Sequence, residues 1–164
     1  MTSFDDVLAA NADYAAAFES TGRPGQAARG LAVVTCMDSR IDPLGMLGLV
    51  KGDAKILRNA GGRVTDDVLR TLVLATHLLG VDRVMVVEHT NCKMASATDD
   101  EVHAAIEESS GIDTRSLEFR TMSDQRAALA QDVQRVRSSP YLRAGTVAAG
   151  FMYDVETGRL ELVV

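Results

Sequence analysis

Leu31-Ala32-Val33-Val34-Thr35-Cys36-Met37-Asp38-Ser39-Arg40 passes from a wholly apolar run into a loop crowded with reactive side chains. Gly30 bounds the run on one side and polar residues bound it on the other. A strand buried on both faces reads this way, because the helices of a parallel sheet cover both sides. Arg83 to Glu88, centred on Val84-Met85-Val86-Val87, repeats the pattern. Ala54 to Leu57, after the turn signal Gly52-Asp53, is a weaker version, and Thr146 to Met152 supplies a fourth run. Glu156-Thr157-Gly158 then turns the chain into a last short strand, Leu160 to Val163.

Helical patterns separate these runs. Val68, Leu69, Leu72, Ala75 and Leu79 recur at helical spacing up to Gly80, a C-terminal stop. Asp66 and Asp67 fall in the first turn, where they complement the helix dipole. Thr98 and Glu101 have capping-box spacing ahead of Val102 and Ile106. Leu129, Val133 and Val136 mark a further helix that ends before Pro140. Near the N-terminus, Phe4, Val7, Leu8, Tyr14, Ala15 and Phe18 form one apolar stripe from about Ser3 to Glu19, with Ser3 placed as N-cap. The Gly/Pro-containing connector Thr21 to Gly30 sets this helix apart, so its stripe needs a core or a partner to lie on. The alternation predicts a three-layer α/β fold. Its centre is a mainly parallel four-stranded sheet with a short extra strand at the C-terminus, flanked by helices, and an N-terminal helix protrudes. Residues 1–164 read as a single domain.

Composition sets the class. The chain has 164 residues, 46% hydrophobic and 24% charged, as expected of one globular domain with a sizeable core. With 23 acidic against 17 basic side chains the net charge is −6, which argues against binding nucleic acid. No apolar run approaches the roughly 20 residues that span a bilayer. Met1 to Asp13 is acidic and lacks the basic and apolar regions of a secretory signal, so the cytoplasm is the expected compartment.

Cys36 follows the first strand and His89 follows the third, and in α/β sheets ligands gather beyond the carboxyl ends of the strands. Cys92 lies three residues after His89, so the turn His89-Thr90-Asn91-Cys92 can aim both at one point. Two thiolates and an imidazole suit zinc. These are the only cysteines, and no second histidine lies near, so a fourth position stays open, as in catalytic rather than structural zinc sites. Asp38 can accept a hydrogen bond from water on the metal, or ligate it. Arg40 can pin Asp38 by a charge-assisted bidentate contact.

Cys36-Met37-Asp38-Ser39-Arg40, Arg58-Asn59-Ala60-Gly61 and His89-Thr90-Asn91-Cys92 resemble, in order and spacing, the three signature blocks of β-class carbonic anhydrases. The resemblance covers most of the chain, and the short length is that of the compact, archaeal-like and actinobacterial branch. It implies Cys36, His89 and Cys92 as ligands of one Zn2+ per subunit, with Asp38 a fourth ligand in a closed state. It implies Asp38 with Arg40 as the catalytic dyad, and Asn59, Ala60 and Gly61 as lining of the substrate pocket. The reaction implied is reversible hydration of carbon dioxide to bicarbonate by metal-hydroxide attack, with an alkaline optimum because two thiolates donate more charge to zinc than imidazoles. The assembly implied is a homo-oligomer, dimer or tetramer, with residues 1–20 packing on a neighbouring subunit. Carbonyl sulfide and carbon disulfide are linear cumulenes open to the same attack, so a hydrolase of these is the alternative. A non-catalytic zinc-binding or redox-sensing protein is the alternative of another class.

Lys93 departs from the glycine many relatives carry after the second zinc cysteine; if that position needs a positive φ, lysine is strained there. His77, in an apolar helix, and His103, on an expected surface helix, read as packed or solvated side chains before they read as proton shuttles. Met46, Met85 and Met152 read as core fillers, and Asp99-Asp100-Glu101 as a solvated helix start.

Overall fold

The computed structural model describes residues 3–20, 22 and 24–164. Thr21 and Arg23 of the expected connector lie outside them, as do Met1 and Thr2. Strands β1 (Leu31–Cys36), β2 (Ala54–Asn59), β3 (Arg83–His89) and β4 (Val147–Tyr153) pair in parallel, and β5 (Leu160–Leu162) closes the sheet antiparallel to β4. The order is β2-β1-β3-β4-β5. This is the expected sheet, with β1, β2 and β3 running further than expected, β4 shifted by one residue and β5 ending one residue earlier. β2 runs past the apolar run to Asn59, because its ladder continues to the pair Cys36↔Asn59. Both Cys36 and His89 are the terminal residues of their strands rather than the first residues of loops.

Helices α1 (Asp5–Ala16), α2 (Asp66–Leu78), α3 (Asp99–Ser110) and α4 (Gln125–Arg137) complete the chain. On one sheet face Ala32, Val34, Val84, Val86 and Ala148 pack against Val68, Leu72 and Ala75 of α2 and Leu129 and Val133 of α4. Leu72 and Leu129 are wholly buried, each stabilising the fold by on the order of 2 kcal/mol. Gly150 lets α4 seat closely on β4: a Cβ there would lie 2.9 Å from Val133 and 3.0 Å from Leu129. The other face, Leu31, Val33 and Val87, is covered by Met46, Leu47 and Leu49 around the 3-10 turn Gly45–Leu47. The third layer is therefore a short irregular segment, and Met85 and Phe151 beneath it are only partly buried.

The caps show how sequence places the helices. Thr65 accepts from the Val68 amide, Asp124 from the Ala127 amide, and Thr98 with Glu101 forms the expected capping box. The expected Ser3 cap is not made: α1 begins after Phe4, without a side-chain cap. α1 buries none of its residues. Tyr14 ties it to the body: its hydroxyl accepts from Lys51 Nζ at 2.6 Å.

Candidate metal centre

Because β1 and β3 are parallel neighbours, Cys36 and His89 emerge at the same edge of the sheet. The chain returns Cys92 to that edge through Asn91, whose φ of 55° is left-handed, a conformation asparagine tolerates better than most residues. The ligand atoms of Cys36, His89 and Cys92 all lie within 4.8 Å of one another, and all three residues are buried. Both cysteines are free thiols. The His89 Nδ1 lies 2.8 Å from the Thr90 carbonyl, which can only accept, so Nδ1 carries the proton. The lone pair is thereby left on Nε2, which is buried without a hydrogen-bond partner. Leaving such an atom unsatisfied is costly, and a metal ion is the partner two adjacent sulfurs would share with it. The donor set therefore fits a soft or borderline metal.

The Cys92 thiol, with the amides of Asp38 and Gly61, pulls the Cys36 thiol down although burial opposes it. The Cys36 sulfur, with burial, pushes Cys92 up, while the amides of Met94 and Ala95 act in the other direction. Backbone donors thus converge on both sulfurs, the arrangement that anionic ligands require.

Asp38 is held on three sides. Its Oδ1 accepts from the Arg40 amide at 2.9 Å and from Arg40 Nε at 3.0 Å, and its Oδ2 from Arg40 Nη2 at 2.7 Å. The Arg40 guanidinium holds this carboxyl far below the usual carboxylate range. Oδ2 stands 3.9 Å from His89 Nε2, so the carboxylate faces the ligand cluster. Arg40 Nη2 also donates to the Asn91 carbonyl at 3.1 Å, joining the dyad to the ligand loop. Arg58 clamps the backbone, donating to the carbonyls of Cys36 at 2.9 Å and Asp38 at 2.6 Å.

Asn59 pairs with Cys36 in the β1–β2 ladder, Gly61 acts on the Cys36 sulfur through its amide, and Ala60–Gly62 forms a 3-10 turn. Asn59 and Ala60 border a cleft of about 490 Å³ with Leu57, Arg58 and Phe119. Gly61 is not among its lining residues; it lies buried with Met94 and Met122 against it. Gly62, at φ 69°, is obligatory for the close approach: a Cβ would lie 3.0 Å from the Cys36 nitrogen and 3.1 Å from the Val87 carbonyl oxygen. Ile41 and Met122 are buried beside Cys36 and Cys92, with Met46 and Tyr153 packed against them, giving the centre an apolar wall.

Several expectations change. Lys93 has no positive φ; it opens the 3-10 turn Lys93–Ala95, and the left-handed residue is Asn91, so lysine carries no backbone strain. His103 is not on the surface but buried, bonded to Thr114 Oγ1 at 2.9 Å and packed on Phe119. His77 bonds the Tyr141 carbonyl. Neither ring is joined to the cluster by these contacts. Asp99 is not merely solvated, since it accepts from the amides of Phe119 and Thr121. Among residues the sequence did not single out, Glu88 is wholly buried with neither carboxyl oxygen hydrogen-bonded. Burial pushes that carboxyl up to about 8, with nearby Arg63 opposing. Its one sequence signal is a charge directly after the apolar run Val84 to Val87.

Known proteins are similar to this chain. The carbonic anhydrase family model matches residues 31–160. Beta-carbonic anhydrase 1 of Mycobacterium tuberculosis is 40% identical over 164 residues, covering 99% of each chain. The crystal structure of a carbonic anhydrase from Streptococcus mutans matches with a TM-score of 0.92 at 36% identity, over 100% of this chain and 99% of that one. A carbon disulfide hydrolase of Acidithiobacillus thiooxidans is 31% identical over 153 residues, covering 80% of this chain and 76% of its own. A β-carbonic anhydrase 40% identical along the full length and a family match over residues 31–160 agree with the Cys-His-Cys geometry: the chain belongs to the β-carbonic anhydrase family.

Proposed function

We propose that the chain catalyses the reversible hydration of carbon dioxide to bicarbonate, with zinc held by Cys36, His89 and Cys92. The observation that carries this reading is the buried, unpartnered Nε2 of His89, beside two sulfurs and 3.9 Å from an anionic carboxylate. Zinc bound there supplies the Lewis acidity that makes water a nucleophile near neutral pH. Asp38, kept anionic by Arg40, has lone pairs left to accept a hydrogen bond from the attacking water and orient it. The same ion pair holds Asp38 off the ligand set, so its entry as a fourth ligand in a closed state requires the contacts to Arg40 to break. Ile41, Met46 and Tyr153 offer an apolar wall to a linear apolar substrate. Asn59 and Ala60 border a cleft that none of Cys36, Asp38, Arg40, His89 and Cys92 lines, and Gly61 contributes backbone beside Cys36.

A second copy of the chain covers the apolar stripe of α1, making a homo-oligomer, dimer or tetramer. Thiols kept free for a metal suit a reducing compartment, and we place the protein in the cytoplasm.

The test is stopped-flow carbon dioxide hydration by zinc-loaded protein at alkaline pH, with Cys36→Ser as control. Fast turnover that the control abolishes is the expected result. Failure of zinc-bound protein to turn over carbon dioxide would overturn the reading. The carbon disulfide hydrolase relative gives a second reading its support. Carbon disulfide and carbonyl sulfide are therefore assayed on the same preparation, and faster turnover of either would move the assignment to it.

A further inference from the structure

We propose that Asp132, a residue of α4 outside the ligand set, is a positioning residue that fixes the Cys36 side of the metal centre through Arg63. The inference rests on the reading of Cys36, His89 and Cys92 as the ligands. Asp132 is buried, and its Oδ2 accepts from Arg63 Nε at 2.6 Å and from the Val64 amide at 3.2 Å. Its Oδ1 lies 3.4 Å from Arg63 Nη2, and Arg63 Nη1 donates to the Arg120 carbonyl at 2.8 Å. The guanidinium therefore has one orientation. The Arg63 backbone is gripped as well: its amide donates to Asn59 Oδ1 at 2.8 Å, and its carbonyl accepts from Asn59 Nδ2 at 2.7 Å. Residues 59–63 form a closed loop, and its far end is tied to α4.

That loop meets Cys36 in three ways. The Asn59 carbonyl accepts from the amide of Met37 at 2.9 Å, the residue after Cys36. The Gly61 amide favours the anionic form of the Cys36 sulfur. Gly62 lies against the Cys36 nitrogen, where a Cβ would come within 3.0 Å. A shift of Arg63 thus moves a donor to the sulfur and the backbone around it together. Burying this ion pair carries a desolvation penalty that a hydrophobic pair of similar volume would avoid. Such a pair could bind α4 to the loop, but it could not aim Arg63 at Asp132 and Arg120 at once. Aim, rather than adhesion, is what the pair adds.

The experiment compares the full-length protein with Asp132→Asn and with the double variant Arg63→Met/Asp132→Leu, which removes the pair without stranding a charge. Thermal unfolding identifies which variants fold, and whichever folds decides. Each is loaded with zinc for release to a chelator and with cobalt(II) for visible spectroscopy. The expected result is a folded variant that releases zinc about tenfold faster or more, with a shifted thiolate-to-cobalt absorption and lower kcat at unchanged KM. A folded variant with the wild-type release rate and spectrum overturns the proposal. Absence of any thiolate-to-cobalt absorption in the wild type would instead overturn the ligand assignment beneath it, and a normal wild-type spectrum keeps the two failures apart.

Discussion

Arg40 grips Asp38 with its backbone amide and with two guanidinium nitrogens, a fork that no other side chain reproduces. If the dyad acts through orientation, the geometry of the fork matters as much as its charge. Arg40→Lys keeps the charge and loses the fork, so kcat should fall about tenfold, within the range of lost supporting contacts around metal sites. Asp38→Asn also removes the anionic acceptor, and the loss should reach roughly 100-fold or more. Both variants should keep full zinc content, since neither changes the three proposed ligands; stopped-flow hydration with metal analysis on the same samples checks this. Zinc loss in Asp38→Asn would move Asp38 into the ligand set. This pair was legible in the sequence because its contact spans two residues. Arg63 and Asp132, 69 residues apart, were not, because nothing local marks a buried partner on another element. Glu88 was visible only as a charge directly after an apolar run, and its burial depends on α4 lying over β3.

Elements were legible where their signals are local. The four parallel strands, the Thr98–Glu101 capping box and the stop at Gly80 follow from hydrophobic runs, cap residues and a glycine at φ 75°. The end of β2 was not, since a partner ladder rather than its own composition extends it. Asp99 shows the same limit. It opens α3, and its oxygens accept from the amides of Phe119 at 2.9 Å and Thr121 at 2.9 Å and from Thr121 Oγ1 at 2.6 Å. It thereby anchors the segment whose next residue, Met122, packs against Gly61. The Thr121 hydroxyl and these amides lower its carboxyl to about 2. A carboxyl lowered on folding adds stability above its unfolded pKa of roughly 4, and loses it as pH falls toward the folded value. Asp99→Asn should therefore cost on the order of 1–2 kcal/mol at neutral pH, allowing for partial exposure, and the deficit should shrink between pH 4 and pH 3. Urea midpoints across that range provide the measurement; a deficit independent of pH would assign the loss to amide geometry instead of charge.

The whole molecule leaves one element unexplained by its own core. α1 has 12 residues, a length at which an isolated helix is marginal in water, and it buries none of them. Phe4, Val7, Leu8, Tyr14 and Phe18 all stay exposed, Phe4 at 66%. Each such side chain would gain on the order of 2 kcal/mol from full burial, so the helix needs a cover. A membrane surface is a poor candidate: the first turn carries Asp5 and Asp6, and α1 contains no lysine or arginine to meet anionic lipid. Among the described residues no helix is long and apolar enough to cross a membrane. A second copy of the chain can cover the stripe by exchanging α1 about a twofold axis, each helix lying on the other subunit. Sedimentation equilibrium should then give at least twice the 17.5 kDa of one chain. Val7→Asp with Leu8→Asp should shift the mass toward the monomer, while far-UV circular dichroism shows the sheet intact, because α1 adds nothing to the buried core. If the charged variant keeps the wild-type mass, the subunits meet elsewhere and α1 is not the exchanged element.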